Sequence, residues 1–520
     1  CYINGNPSGG GTSGTGSAVV SFPYSSIGVI PFGGQPASLP TRNDPQEDAT
    51  TMQIGSTWGV AAKQATQEIF TSAFVKRHVG IGPGGEGAIY KFDYLADPAN
   101  PTLSTWLDVT TIGMTVGTVG TGATPADRNL NRGLSTAANG LSNGGDPDAF
   151  DKVGKGGLGD FDISEDGSML WVVNLNDQTI NSILMDSDND PATAPTAGDL
   201  TTFAVPNPCG GGTQRPFALS VYEGDVYVGV VCESALEAYI YRFDGTTFNP
   251  VLVNASATID LSYEKGFSSI TCTDPEANKG WFTWIATPPA ACNANFFSHP
   301  QPILADIEFD VDGSMILGFN DRGGHQFGTE NTRPGGSLAS RENYHAGGDV
   351  LRVCNINGEF FMQGSVGGCA NNDNNDDGPN GGEFYHQDFI TGRFFPQPAP
   401  NILHSETATG GLALLPGRNA VAVDSYDPFN TYEVSGGINW FNNSTGLARD
   451  PGYVLYFGQN NGNGNFGKAN GLGDIEILCG LLNIQVGNYV WEDDGEGIQQ
   501  ACEKPVERVD VSLYDKTDPV

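Results

Sequence analysis

Basic side chains are scarce in this chain. Lys and Arg number 24 of 520 residues against 60 Asp and Glu, which gives a formal net charge of −36. A surface with so strong a negative field repels nucleic acid and anionic lipid, so we expect no nucleic-acid partner. The same field favours divalent cations. Long apolar runs are also missing, and the sequence therefore predicts no membrane span within these residues.

Short catalytic and metal-binding motifs are equally scarce. The chain contains no CxxC pair, no HExxH zinc motif and no phosphate-binding P-loop. What is abundant is turn-forming sequence, with 72 Gly and 32 Pro. Such a composition favours short strands over long helices and predicts an all-β protein.

Nine cysteines occur, and eight of them form pairs of sequence neighbours. Zinc sites usually need closer spacing or His partners, so disulfides in an oxidising, extracellular compartment are the better account. The expected pairs are Cys209 with Cys232, Cys272 with Cys292, Cys354 with Cys369, and Cys479 with Cys502. Cys1 is left over, and either a lipid-modified terminus or a chain that begins at an arbitrary residue would explain it.

One theme repeats between residues 18 and 482, after a flexible Gly/Ser-rich leader at residues 1–17. It consists of a short apolar run, a tight turn and a second β-rich run, as in residues 161–173 and 309–317, which both turn at Asp-Gly. A hairpin with outer strands that recurs in this way is typical of a β-propeller, and we predict six or seven blades with long insertions. A stack of β-sandwich domains is the alternative. Six openings of the theme begin near Trp58, Gly157, Arg215, Leu304, Gly411 and Gly471.

The C-terminal residues 483–520 contain the most specific pattern. Val490 and Trp491 precede an acidic Gly-bearing loop, Gly497-Ile-Gln, and a strand-like run at residues 509–515. This segment resembles the opening of the SdrD B-like domain of bacterial cell-surface adhesins, and residues 73–83, 215–218, 301–310, 381–385 and 466–474 resemble the β-rich region that precedes such domains. The resemblance implies the start of an Ig-like sandwich that binds calcium. Its implied ligands are Asp493, Asp494, Glu496 and Glu503.

The segment is much shorter than a complete sandwich and would expose unpaired strand edges. Either the protein continues beyond Val520 or these strands pair with another chain. We therefore expect self-association through exposed strands, which would build an extracellular filament or sheath.

Two further acidic loops are candidate calcium sites. Asp and Asn side chains alternate in both, as in the first half of an EF-type loop, although only the loop at residues 373–378 continues into a glycine and solvated turns have the same composition. The ligands would be Asp373, Asn375 and Asp377, with Glu383 nearby, in one loop and Asp186, Asp188 and Asp190 in the other.

Polar residues recur just after the second strand of several repeats. In a propeller these positions gather at one end of the axis, where enzymes and sugar-binding proteins place their sites, but such side chains also tie loops together. The candidate ligand face comprises Arg77, His78, Asn174, Asp177, Asp321, Arg322, His325 and Asp424.

Three functions remain open. The leading prediction is a secreted structural or adhesive cell-surface protein that is not an enzyme and that contacts glycans or other surface proteins. The alternatives are an extracellular propeller hydrolase or lyase acting on sugars or lactones, and a carbohydrate-binding module.

Overall fold

The computed structural model divides the chain into two compact units, residues 1–478 and 479–520. It describes residues 2–3, 16–26, 45–134, 144–185, 194–253, 257–265, 280–289, 296–329, 331–336, 341–366, 368–372, 378–387, 390–391, 402–404, 406–415, 417–428, 435–448, 452–457, 468–469 and 471–479. The predicted boundaries after residues 17 and 482 stay predictions.

Among the described residues, sixteen strands lie in the first half of the chain. They are β1 (Tyr2–Ile3), β2 (Ser17–Ser21), β3 (Gln46–Thr50), β4 (Thr57–Lys63), β5 (Glu68–Ala73), β6 (Ala88–Asp93), β7 (Thr102–Asp108), β8 (Leu158–Ile163), β9 (Met169–Asn174), β10 (Thr179–Leu184), β11 (Leu200–Ala204), β12 (Gln214–Tyr222), β13 (Asp225–Cys232), β14 (Glu237–Phe243), β15 (Phe248–Pro250) and β16 (Ile259–Asp260).

Thirteen strands follow in the second half. They are β17 (Phe296–Phe297), β18 (Pro302–Phe309), β19 (Met315–Asp321), β20 (Asn331–Thr332), β21 (Arg341–Tyr344), β22 (Asp349–Ile356), β23 (Glu359–Met362), β24 (Ile390–Thr391), β25 (Ile402–His404), β26 (Ala408–Leu414), β27 (Ala420–Tyr426), β28 (Ser435–Asn442) and β29 (Tyr453–Phe457). The described helices are short: α1 (Thr51–Ile54), α2 (Pro125–Asn131), α3 (Pro147–Phe150), α4 (Arg322–Phe327), and 3₁₀ turns at Tyr24–Ser26, Gln64–Thr66, Val109–Ile112 and Ala197–Asp199.

These strands form a β-propeller of five blades. Each blade is an antiparallel sheet: β4 to β7, β8 to β11, β12 to β15 with β16 added, β18-β19-β22-β23, and β26 to β29. The first strand of each blade contacts the first strand of the next, as for β4 with β8, β8 with β12, β12 with β18 and β18 with β26. The first strands therefore surround a common axis, and the predicted fold class is confirmed.

The predicted count of six or seven blades is wrong. The sixth opening, residues 471–478, forms an extended segment and no four-stranded sheet in the described part of the chain. The gap between the fifth and first blades is closed by this segment and the three-stranded sheet β1-β2-β3. Val19 packs with Val60 of the first blade, while Val20 packs with Ala413 of the fifth.

The hairpins follow the turn chemistry. Gly167 and Gly313 adopt φ of +73° and +75° between the first and second strands of their blades, which explains the Asp-Gly turns there. The opening near Trp58 begins the hairpin of β4 and β5, as the repeat predicts.

Aspartates join the first strands of neighbouring blades. Asp160 on β8 accepts a hydrogen bond from the Leu219 amide on β12, at 2.9 Å. Asp306 on β18 accepts from Leu412 on β26 at 2.7 Å. The carboxylates satisfy strand-edge N–H groups that would otherwise be buried without a partner, so they fix the spacing of the blades around the axis.

The closing segment repeats this interaction. Asp474 accepts a hydrogen bond from the Val60 amide of the first blade at 2.9 Å. Two residues further along the same three strands lie Asp162, Glu308 and Glu476, which form a second layer of acids. In each of the three segments two acids are separated by one residue, and every second segment around the axis has such a pair. Six carboxyl groups therefore line the axis in two layers.

These acids hold protons that ordinary carboxyls release. Burial raises the pKa of Asp162 to about 6, of Asp306 to about 7 and of Glu476 to about 8. Burial and the neighbouring acids also raise the pKa of Asp160 and Asp474. A folded chain that binds protons more tightly than the unfolded chain loses stability as the pH rises between the two pKa values.

The melting temperature should therefore fall as the pH increases from about 5 to about 8. Asp306→Asn removes one of the titrating groups and keeps an oxygen that can accept from the Leu412 amide. The melting temperature of this variant should therefore decline less steeply with pH than that of the wild type. The exposed substitution Asp148→Asn serves as a control and should leave the slope unchanged. Thermal unfolding followed by circular dichroism measures all three, and a wild-type melting temperature that rises across this window would contradict the assignment.

Candidate functional site

One end of the axis collects the polar residues that follow the second strands. The first strand of a blade begins opposite the end of the second, as the pairs Thr57 with Ala73 and Pro302 with Asp321 show. The residues after β5, β19 and β27 therefore meet at the same end of the axis. We call this region, formed by Trp58, Lys76, Asn320, His325 and Asp424, the axial cluster.

Lys76 is the basic member of the axial cluster. Its side chain is buried, and the ammonium lies 5.9 Å from the centre of the Trp58 ring. Its Nζ atom has no hydrogen-bond partner among the described residues. Burial lowers the pKa of Lys76 to about 7, and the charge of Asp424 opposes this shift. The amine is thus partly neutral at physiological pH.

Asp424 and Asn320 supply oxygen atoms. Asp424 accepts the Leu472 amide through Oδ2 at 2.6 Å, and Asn320 donates to the carbonyl of Thr409 at 2.6 Å. Oδ1 of each residue is buried and finds no hydrogen-bond partner in the part of the chain that the structure describes. Burial raises the pKa of Asp424 to about 7. Asp424 thus holds its proton more tightly than an ordinary carboxyl group.

Aromatic rings close the cluster toward the axis. The His325 ring meets Trp58 and Phe74 edge to face, each at 5.4 Å between centroids, and Trp58 meets Phe217 at 5.6 Å. Burial and the nearby Lys76 lower the pKa of His325 well below its usual range. The imidazole is therefore a neutral packing group and no general acid at neutral pH.

Helix α4 and residues 74–78 cover this end of the axis. The Arg77 amide donates to the carbonyl of His325 at 3.2 Å, which joins the two segments. Every residue of α4 is buried. Asp321 accepts the Gly323 amide at 2.7 Å and so holds the start of the helix. We call these two segments the cover.

The predicted arginines fasten the cover to the blades. Arg322 donates to the carbonyls of Val153 at 2.9 Å and Ile285 at 2.8 Å, and to Gln301 at 2.9 Å. Arg77 donates to the carbonyls of Gly145, Gln326 and Thr332. Both side chains are thus used to satisfy buried backbone oxygens.

The remaining predicted ligands are dispersed. His78 donates its backbone amide to Asp146, which also forms a buried ion pair with Arg132 at 2.7 Å. Asn174 and the exposed Asp177 stabilise a turn of the second blade instead. The structure therefore brings only His325 and Asp424 of the predicted face into the axial cluster. Trp58, Lys76 and Asn320 complete it, and their positions next to strand ends were the available signal.

A separate group of carboxylates is the clearest candidate for a metal within the described residues. Asp349, Glu383 and Glu406 are buried, and oxygen atoms of the three lie within 4.8 Å of one another. The Lys265 ammonium, however, lies 2.9 Å from Glu406 and also donates to the carbonyls of Gly347 and Gly348. A cationic side chain already neutralises this group, so the residues fit an internal ion pair better than a calcium site.

The calcium loops predicted from sequence lie outside the described residues. This holds for Asp373, Asn375 and Asp377, for Asp186, Asp188 and Asp190, and for Asp493, Asp494, Glu496 and Glu503. Calcium binding there stays a prediction, except where it rested on the C-terminal resemblance discussed below.

Two predicted disulfides are confirmed. Cys209 is bonded to Cys232, and Cys354 is bonded to Cys369. Cys272, Cys292 and Cys502 lie outside the described residues, so the pairing of Cys272 with Cys292 and of Cys479 with Cys502 stays a prediction. Disulfides persist in oxidising compartments, which agrees with the expected location. No helix of the described residues is long and apolar enough to cross a membrane.

The axial cluster makes a prediction about Lys76. Lys76→Met keeps a long side chain and removes a buried charge without a hydrogen-bond partner, so it should stabilise the fold by about 1 kcal/mol at pH 6. The gain should shrink as the pH rises from about 7 toward 10, because the wild-type amine then loses its proton in both states. Chemical denaturation at several pH values measures this. The exposed substitution Lys152→Met should have little effect, and a destabilised Lys76→Met would show that the ammonium is held by a favourable interaction.

Known proteins resemble this chain in sequence and in fold. No family model matches the chain. Colossin-A from Dictyostelium discoideum is 28% identical over 539 residues, which cover 99% of this chain and 4% of Colossin-A. Colossin-D of the same organism is 28% identical over 454 residues, covering 84% of this chain and 41% of Colossin-D. The chain therefore spans less than half the length of these relatives.

Solved structures resemble the fold only distantly. A periplasmic gluconolactonase of Pseudomonas aeruginosa has a TM-score of 0.31 and 10% identity, over 77% of this chain and 68% of its own. A chain of the nidogen/laminin complex has a TM-score of 0.33 and 7% identity, over 81% of this chain and 87% of its own.

The prediction that the chain belongs to a bacterial cell-surface protein with a C-terminal SdrD B-like domain is wrong. The sequence relatives are colossins of an amoeba, and no family model matches. The short motif at residues 487–514 matched by local pattern alone, whereas similarity to Colossin-A extends over 99% of the chain. The chain is thus similar to the Dictyostelium colossins, along almost its whole length in the case of Colossin-A.

Proposed function

We propose that this chain is a non-catalytic structural module of an extracellular protein. The observation that carries this proposal is the cover over the axial cluster. The end of the axis that would hold a substrate is filled by buried segments, and Lys76, Asn320 and Asp424 are each at most 1% exposed. A substrate could reach them only after the cover had moved.

Moving the cover would be costly. Arg322 donates to the carbonyl of a residue that lies 169 positions away from it in sequence, and Arg77 to that of a residue 255 positions away. Each buried polar group left without a partner costs about 1 to 3 kcal/mol. Releasing several of them at once would consume a large part of the stability of an ordinary domain, about 5 to 15 kcal/mol. The arrangement suits a rigid module better than a site that opens in every turnover.

Two other features support a structural role outside the cell. The disulfide from Cys209 to Cys232 fixes the loop before β12 to the end of β13, and that from Cys354 to Cys369 fixes β22 to the loop after β23. Both disulfides restrain the chain and so stabilise the fold. The similarity to colossins, of which this chain matches only a part, fits a module within a longer protein. Self-association into a filament or sheath stays a prediction, because residues 509–515 lie outside the described residues.

The alternative function is an extracellular hydrolase or lyase acting on sugars or lactones. It is favoured by one observation: Lys76 and Asp424 have pKa values of about 7 and carry atoms without partners. Such values are typical of general acids and bases. The access of a substrate to Lys76 and Asp424 decides between the two functions, since both side chains are buried in this conformation.

Arg322→Ala tests the structural role. It removes four hydrogen bonds and leaves carbonyls buried, so the free energy of unfolding should fall by about 3 to 5 kcal/mol. Arg242→Ala, whose guanidinium is about half exposed and pairs with Asp225, is the matched control and should cost less than about 1 kcal/mol. Urea denaturation measures both.

The same proteins are assayed against a panel of lactones and glycosides. We expect no turnover from the wild-type chain. Turnover by the wild type that is abolished in Asp424→Asn, while the unfolding free energy is unchanged, would overturn the structural proposal in favour of the enzyme.

A further inference from the structure

Lys265 and Glu406 form an ion pair in the interior of the protein. The Nζ atom of Lys265 lies 2.9 Å from Oε2 of Glu406, and the two side chains are 0% and 2% exposed. Asp349 and Glu383 lie beside them, with oxygen atoms of the three acids within 4.8 Å of one another. An amine and a carboxyl group are thus in direct contact in a place that excludes solvent. We call Lys265 and Glu406 the buried pair.

The neighbours of Lys265 hold its amine in place. Nζ donates to the carbonyl of Gly347 at 3.1 Å and to that of Gly348, and it lies 4.1 Å from the centre of the Trp281 ring. A Cβ atom at Gly348 would collide with the Ala408 carbonyl oxygen, so the glycine allows the segments before β22 and β26 to approach closely. The side chain is therefore restricted to one position, unlike that of an exposed lysine.

Glu406 is fixed from the other side of the pair. It lies just before β26, and the carbonyl of the next residue, Thr407, accepts the Tyr426 amide of β27 at 3.0 Å. The backbone of Glu406 has a φ of +56°, in the left-handed region that residues other than glycine rarely adopt. Such a conformation persists only where the surrounding structure imposes it. The start of the fifth blade therefore presents the carboxyl group to Lys265.

Asp349 is placed to move protons at the buried pair. Burial raises the pKa of Asp349, although the charge of Lys265 and the hydrogen bond from the Tyr263 hydroxyl oppose this shift. The Trp281 indole donates to the same hydroxyl at 3.2 Å and so orients it. A carboxyl group with a raised pKa beside an amine can accept a proton from the amine and return it to a leaving group.

An ion pair is a costly arrangement in such a place. Two charges that are removed from water lose their hydration, and their mutual attraction repays this loss only in part. An amide carries no charge, so its formation from an ammonium and a carboxylate removes both desolvated charges. Fixed geometry favours the reaction further, because well-oriented groups reach effective concentrations of about 10⁵ to 10⁸ M. Burial is no obstacle, since both reactants belong to the chain and only one water molecule has to leave.

We propose that Lys265 and Glu406 condense into an intramolecular amide bond. The new bond joins Nζ of Lys265 to Cδ of Glu406, and one C–O bond of the carboxyl group breaks. One ammonium proton passes to the carboxyl group of Glu406, and a second passes through Asp349 to the departing oxygen, which leaves as water. Ammonium and carboxylate thus become an amide and one water molecule, without any change of oxidation state.

The amide encloses the fourth blade in a covalent loop, because β18, β19, β22 and β23 lie between the two residues in sequence. It joins the segment after the third blade to the start of the fifth. A cross-link that closes a long loop stabilises a protein mainly by restricting the unfolded chain. This inference goes beyond the proposed structural role, and it holds equally if the chain is an enzyme.

Mass spectrometry of the whole chain tests the proposal. After the cysteines have been reduced and alkylated, the wild-type chain should be lighter than its sequence by the mass of one water molecule. A tryptic digest should contain a branched peptide in which Lys265 is joined to Glu406. Lys265→Arg keeps the positive charge but carries a guanidinium that does not lose its proton, so this variant should have its full mass and no branched peptide.

A second ion pair is the matched control within the same digest. Lys155 lies 2.6 Å from Glu233, at least as close as the buried pair, but these side chains are 13% and 23% exposed. Both charges stay hydrated there, so no branched peptide should contain Lys155.

Asp349→Asn tests the proton transfer. The variant keeps an oxygen that accepts the Tyr263 hydroxyl but carries no exchangeable acid, so amide formation should be slower by about a hundredfold or more. The fraction of joined chain is measured by mass over time after purification. A variant that melts at a lower temperature but is joined as fast as the wild type would show that Asp349 only supports the fold.

The proposal is overturned if the wild-type chain retains its full mass, if the branched peptide joins other residues, or if Lys265→Arg shows the same loss of water. Should Lys265→Arg fail to fold, the branched peptide of the wild-type chain carries the test. None of these results bears on the Arg322 experiment, which measures the cover over the axial cluster.

Discussion

The hydrogen bonds from aspartates on one first strand to the amides of the next are the interaction on which this propeller depends. Asp160, Asp306 and Asp474 each join two neighbouring first strands. A propeller must satisfy the edges of strands that face the axis, where no further sheet is available. Carboxylates placed on every second blade meet this need and bring like charges together. The retained protons are the consequence of that arrangement.

The same constraint shapes the two ends of the axis differently. At one end the aromatic rings of Trp58, Phe74 and Phe217 and the cover exclude solvent, which requires Arg77 and Arg322 to satisfy the carbonyls that become buried. Away from that end, the second layer of acids is less buried by the chain. The fold thus places Arg77 and Arg322 at the closed end of the axis. That choice explains why so acidic a chain keeps these basic residues in its interior.

Much of the architecture is predictable from sequence, because the Asp-Gly hairpins are local. The turns at Gly167 and Gly313 require positive φ, and their flanking strands alternate accordingly. The number of blades is not predictable in this way. A segment such as residues 471–478 has the opening pattern of a blade, whereas its pairing with the first blade depends on a hydrogen bond between residues more than 400 positions apart, Val60 and Asp474. Periodicity cannot report such pairing.

The candidate sites show the same limit more sharply. Arg77, Asp321 and Arg322 have the residue types and strand-end positions of a ligand face, and sequence cannot distinguish that role from fastening loops. The distinction lies in the partners: Arg322 donates to the carbonyl of Val153, 169 residues away. The useful signal is therefore an unsatisfied atom, and it is visible only in three dimensions. Lys76, Asp424 and Trp440 each have one. All three side chains are at most 1% exposed, so these atoms are sealed inside the fold, and an unsatisfied atom marks a site only where a ligand can also reach it.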